Sequence, residues 1–260
     1  MSALKSLIRN MLHALDIEIV RYSRLGKLEL AARSEFDLEF LRSLPEGALV
    51  QALTLLPDSQ SQLRQDIFVL SQCAFKRDGY FVEFGATDGK NLSNTWLLEK
   101  HFSWSGILAE PARRWHKQLF GERSARIETD CVWTESGARL EFIEADEAEL
   151  STLASHAGGD EHARAREKGR HYQVDTITLN DLLARHQAPS EIDYLSIDTE
   201  GSEFEILNAL DFDSYRFSAI TCEHNFTPNR EKIHALLSKY GYIRKFESIS
   251  RFDDWYVQAK

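Results

Sequence analysis

Residues 79–95, GYFVEFGATDGKNLSNT, run from a short apolar stretch through a glycine-bearing turn into a helix-like segment. Tyr80 to Phe84 is aromatic and β-branched apart from Glu83, the composition of a buried strand of about five residues. Gly85 and Gly89 open backbone angles closed to other residues and let a ligand approach the main chain, and Asn91 or Ser93 can cap the following helix. A strand, a glycine turn and a helix N-terminus together form a small-molecule cradle. The spacing Gly85-x-x-x-Gly89 is not the GxGxxG of a dinucleotide site, and no Walker lysine-serine pair follows. Glu83 sits in the strand just before the turn. A carboxylate there suits a cationic amine better than a phosphate, which would meet like charge.

Working outward, strands and helices alternate from Gly79 to the C-terminus, which implies a mostly parallel sheet covered on both faces. Strands are expected at 80–84, 106–109, 126–132, 139–143, 192–197, 217–222, 242–247 and 253–258. Helices are expected at 91–101, 112–120, 177–186, 203–209 and 229–240. In such sheets ligands lie beyond the carboxyl ends of the strands, so acids at those ends are the candidates for chemistry. They are Glu110 after the second strand, Asp130 at the end of the third, Asp198 and Glu223. Cys131 beside Asp130 reads equally as a small buried hydrophobe. Glu203 and Glu205 are explained as first-turn acids of a helix.

The strings VEFGATDGKNLSN (82–94), ILAEP (107–111) and YLSIDTEGSEFEIL (194–207) resemble the FkbM family of S-adenosylmethionine-dependent methyltransferases, over roughly residues 78–260. The resemblance implies a Rossmann-like class I methyltransferase sheet, α/β and seven-stranded, closed by a terminal hairpin. It places cofactor contacts at Glu83, Gly85, Ala86, Asp88, Gly89, Asn91, Glu110, Pro111, Asp130 and Asp198. Glu110 is expected to hold the ribose hydroxyls and Asp130 the adenine amino group.

The Cys222-Glu223-His224-Asn225 run could, with Asp198, hold a divalent cation such as magnesium, or could place a base on an acceptor hydroxyl. It is similar to the acid-amide pair of the metal-dependent catechol class, but Gly201 stands where that class has its lysine base. His224 is therefore the candidate base, Asp198 and Glu223 the candidate metal ligands, and loop-holding hydrogen bonds the simpler account of Glu223 and Asn225. The resulting expectation is an O-methyltransferase acting on a hydroxyl of a sugar or glycoconjugate. A nucleoside-binding module without turnover and an NAD-dependent oxidoreductase are the competing readings; the glycine spacing disfavours the second.

The division expected is an N-terminal helical extension, lid or dimer arm over 1–77 and a catalytic domain over 78–260. Leu4, Leu7, Ile8, Met11, Leu12, Leu15 and Ile19 recur at helical spacing, with basic residues in excess. Residues 1–30 thus suit packing on their own domain, a second subunit in a homo-oligomer, or peripheral contact with the inner membrane surface. The charged segment 145–170 reads as a mobile loop over the site. A net charge of −10 argues against nucleic-acid partners. Three cysteines without CxxC spacing, no apolar run of the ~18–20 residues a membrane span needs and no cleavable leader point to a cytoplasmic protein.

Overall fold

A strand buried on both faces can be satisfied only inside a covered sheet, and YFVEF, SGILA and the second half of EIDYLSI are buried in this way. The computed structural model describes residues 22–146, 151–155 and 163–259. Its strands are β1 (Tyr80–Phe84), β2 (Ser105–Ala109), β3 (Arg126–Glu128), β4 (Cys131–Trp133), β5 (Arg139–Glu144), β6 (Thr152–Leu153), β7 (Arg170–Thr178), β8 (Glu191–Ile197), β9 (Arg216–Glu223), β10 (Tyr242–Lys245) and β11 (Asp253–Gln258). Seven of them form one sheet in the order β10-β11-β9-β8-β1-β2-β3. The pairs β1–β2, β1–β8, β2–β3 and β8–β9 are parallel, and β11 runs antiparallel to β9 and β10. This is the expected α/β sheet with its closing terminal hairpin. Val82, Phe84, Ile107, Leu195, Ile197 and Ile220 lie at the centre of its core.

The helices are α1 (Tyr22–Ser43), α2 (Leu49–Leu55), α3 (Gln65–Gln72), α4 (Trp96–Phe102), α5 (His116–Glu122), α6 (Ala163–Arg166), α7 (Leu179–Arg185), α8 (Glu203–Asn208) and α9 (Asn229–Lys239). The chain divides into two compact units, Met1–Arg42 and Ser43–Lys260. Residues 43–77 thus fall in the same compact unit as the sheet. The cause is α3: Phe68 packs its ring 4.8 Å from that of Trp255 on β11, and Gln65 Nε2 donates to Asp253 Oδ2 at 3.0 Å. The amphipathic pattern over residues 4–19 lies outside the described residues. No helix among the described residues is long and apolar enough to cross a membrane.

Several expected elements differ from those observed, among them the helix expected from 112, which starts at His116. The strand expected over 126–132 breaks after Glu128, whose Oε1 accepts from the N–H of Thr129 and Asp130 at 3.0 and 3.2 Å. That turn sends Cys131 into a second sheet of order β4-β7-β5-β6. The 145–170 segment is not loop throughout: Thr152–Leu153 pairs with β5, and Arg170 opens the nine-residue β7, which delays the helix expected from 177 to Leu179. The helix expected from 91 starts at Trp96, because residues 93–95 are spent wrapping the Glu83 carboxylate. Ser93 Oγ accepts from the N–H of Thr95 and Trp96 where that helix begins.

Candidate functional site

Strand order reverses at β1, between β2 and β8, and a crevice at the carboxyl ends follows from that reversal. Here it is a cavity of about 360 Å³, lined by the ends of β1, β2, β8 and β9, by Ser151–Leu153 and Phe142 of the second sheet, and by Gln62 and Gln65. The size falls in the usual small-molecule range of roughly 300–1,000 Å³. The segment expected to lie over the site does reach it, through residues 151–153.

The floor is the glycine turn. Gly85 has φ +71°, and a Cβ there would stand 2.3 Å from the carbonyl oxygen of Asp198, so only glycine lets β1 and β8 approach. Beyond it Thr87 and Ala112 donate their N–H groups to the two Glu110 oxygens at 2.8 and 2.7 Å. Glu110 is buried at the cavity wall, and burial pushes its carboxyl up to about 7. Each oxygen keeps a lone pair for a ligand hydroxyl.

Glu83 is engaged differently from the expected amine contact. Its oxygens accept from Ser93 Oγ, from Asn94 N at 2.6 Å and from Thr95 Oγ1, and Arg123 lies 3.7 Å away. Arg123 is the keystone that sequence reasoning missed. Its buried guanidinium also donates to Glu99, Thr95 Oγ1 and the Gly89 carbonyl. A Cβ on Gly89 would meet Arg123 Cγ at 2.8 Å, so that glycine makes room for the arginine and does not line the cavity. The acceptor left open near Glu83 is Asn94 Oδ1, shielded from solvent and without a partner on the cavity wall.

Glu83, Gly85, Glu110, Pro111, Asp198, Glu223 and Asn225 are brought together at the cavity; Ala86, Asp88, Asn91, Asp130 and His224 are not among its lining residues. Asp88 ties its own turn by accepting from the N–H of Lys90 and Asn91 and from the Asn91 side chain, while Ala86 is buried beneath that turn. Asp130 pairs with Arg185 at 2.9 Å on α7 because the strand turns away at Glu128. His224, the expected base, is buried with Nε2 3.7 Å from Asp254 and with Nδ1 accepting from Phe226 N at 3.0 Å. Burial lowers its proton affinity, and a ring that holds the loop in this way is not aimed at an acceptor.

The two acids that meet at the cavity are Asp198 and Glu223. Glu223 is buried and Asp198 is exposed to the cavity, and the two are hydrogen-bonded to each other; desolvation, then the neighbouring acids, raises both, Asp198 to about 7. Such a pair shares one proton at neutral pH, held by Glu223 and donated to Asp198. Glu223 Oε2 is buried without a partner. Glu200 completes a group of three carboxylates whose oxygens lie within 4.8 Å of one another. The group does not fit a divalent cation well. Arg166, itself buried, donates to Glu200 Oε2 at 2.8 Å and sets a positive charge against the place a cation would take.

Asp253, at the start of β11, was read in the sequence only as strand, although an acid in a buried stretch is itself a signal. It lines the cavity, with Oδ2 accepting from Gln65 Nε2 and Trp255 Nε1, and burial raises it to about 8. A carboxyl raised from its unfolded value near 4 contributes stability in full below that pH and loses it as pH rises through 8. Asp198 and Glu110 add to the same slope. The ligand-free protein is therefore expected to lose thermal stability between pH 5 and 8.5, and Asp253→Asn to raise Tm at pH 8.5 by roughly 5 °C while leaving it near wild type at pH 5. Calorimetric scans at both pH values check this.

A mostly parallel sheet with a turn of this kind at its centre is shared by many nucleotide proteins. What decides among them is the match of residues 83–246 to the Methyltransferase FkbM domain. The chain belongs to the FkbM methyltransferase family. Among curated proteins none matches it. Among solved structures it is similar to precorrin-6y C5,15-methyltransferase from Geobacter metallireducens GS-15, at 12% identity over 69% of this chain and 71% of that one, with a TM-score of 0.36. Membership of the FkbM family implies S-adenosylmethionine as methyl donor. The residues present fit it: Glu110 offers acceptors for ribose hydroxyls and Asn94 Oδ1 an unpartnered acceptor for an amino group.

Proposed function

We propose that this FkbM domain is an O-methyltransferase acting on a hydroxyl of a sugar or glycoconjugate. The observation that supports the O-methyl reading is the close approach of the Asp198 and Glu223 carboxyl groups, whose oxygens lie with one of Glu200 within 4.8 Å of one another, in the cavity that Glu110 also lines. S-adenosylmethionine supplies an activated methyl group, so the protein must add alignment and a more nucleophilic oxygen. Asp198 receives the hydroxyl proton; a base poised near 7 suits that task at neutral pH. Glu223, holding the shared proton, orients Asp198 and yields the second acceptor oxygen. Glu110 and Asn94 position the donor. Calorimetry with S-adenosylhomocysteine against NAD, followed by mass spectrometry of glycan acceptors, tests the reading. Binding of the first ligand only, and a mass gain of one methyl group that survives EDTA, are expected. NAD binding, or S-adenosylhomocysteine binding with no transfer to any hydroxyl, would sink it.

A further inference from the structure

The cavity mouth combines two features. Phe226 is 71% exposed and Leu92 is 50% exposed, yet both line the cavity. Apolar side chains left in water at a ligand pocket mark a contact surface. Both also hold left-handed backbone, with φ 55° and 62°, and Asn225 before Phe226 has φ 42°. Backbone of this kind in non-glycine residues persists only where surrounding structure enforces it. For Phe226 the enforcement is visible: its N–H donates to His224 Nδ1 at 3.0 Å, and the two rings meet edge to face at 5.3 Å between centroids. The buried imidazole thereby holds the phenyl ring out over the cavity.

The second feature is charge. Among the described residues the lining carries six acids and no lysine, arginine or histidine. Arg123 and Arg166 stand behind Glu83 and Glu200. Glu110, Asp198, Glu223 and Asp253 have no such cation facing them across the cavity. An anionic group entering here would find no cation to pair with, and its charge would further oppose the ionisation of the acids around it.

We infer that the acceptor is a hydroxylated ring without phosphate or carboxylate, neutral or amino-bearing, seated with its apolar face on Phe226. This rests on the transferase reading above and narrows its substrate class. It makes Phe226 a specificity-determining residue and His224 a positioning residue that acts through it.

The test is saturation-transfer NMR on the full chain saturated with S-adenosylhomocysteine, using methyl α-glucopyranoside, glucosamine and glucose 6-phosphate as probes. Transfer to the ring hydrogens of the first two and none to the phosphate is expected. Phe226→Ala, at an exposed position, should weaken both signals about tenfold while S-adenosylhomocysteine affinity stays unchanged, and Phe226→Trp should restore them. His224→Ala should weaken the same probes. Equal binding of glucose 6-phosphate, full binding by Phe226→Ala, or no binding of either uncharged or amino probe to wild type overturns the inference. Failure to bind S-adenosylhomocysteine would instead count against the cofactor reading beneath it.

Discussion

Asp198→Asn should lower kcat for methyl transfer by about 10³-fold, the size of a lost general base, with little change in S-adenosylhomocysteine affinity. The substitution keeps the shape of the side chain and its contact with Glu223, and removes only its capacity to take a proton. Glu223→Gln behaves differently. A glutamine amide still donates to Asp198, so the base stays oriented and kcat should fall within about tenfold of wild type. The pH profile separates the roles further. Wild-type turnover should drop as pH falls below about 7, where Asp198 binds a proton. In Glu223→Gln that limb should stay near wild type, because the amide keeps the hydrogen bond that lowers Asp198, and the desolvation and the Glu203 carboxylate that raise it are untouched. An Asp198→Asn enzyme with wild-type kcat would remove the base assignment, and a displaced limb in Glu223→Gln would show that Glu223 acts on Asp198 as a charge and not as a hydrogen-bond donor.

The reach of the sequence here has a physical boundary. Tyr80–Phe84 was legible to the residue because burial on both faces leaves a mostly apolar run that little else explains, and Asp253–Gln258 was legible through Trp255, Tyr256 and Val257 despite its two leading aspartates. Asp198 and Glu110 were legible as acids at strand ends. Roles decided by where a side chain turns were not. His224 and Asn225 are adjacent in sequence, yet one packs against Asp254 and the other lines the cavity. Arg123 and Glu83 are forty positions apart (123 − 83), and nothing local in GERSAR signals that one neutralises the other. Long-range pairing of buried charges is a property of the packed chain. The strand expected over 126–132 failed for a similar reason, since a side-chain carboxylate competing for backbone N–H groups ended it.

Gly85→Ala should raise the dissociation constant for S-adenosylhomocysteine by about 100-fold and lower stability by about 3 kcal/mol. Two costs combine at this position: a left-handed backbone at φ +71°, and a Cβ forced to within 2.3 Å of the Asp198 carbonyl oxygen. Gly137→Ala isolates the first. That glycine has φ +79° with nothing within 4 Å of its Cβ, so its alanine variant should lose only about 1 kcal/mol and bind as wild type. The difference between the variants then measures the clash alone. Relief of the clash requires β1 and β8 to part at their carboxyl ends, where the turn carrying Thr87 and the strand carrying Asp198 meet. Moving Thr87 takes its N–H from Glu110, and moving Asp198 changes its distance to Glu223, so donor binding and proton transfer should fail together. Denaturant melts of both variants, with calorimetry of ligand binding, check the prediction; equal losses in the two would show that the close approach of the strands is not what fixes the site.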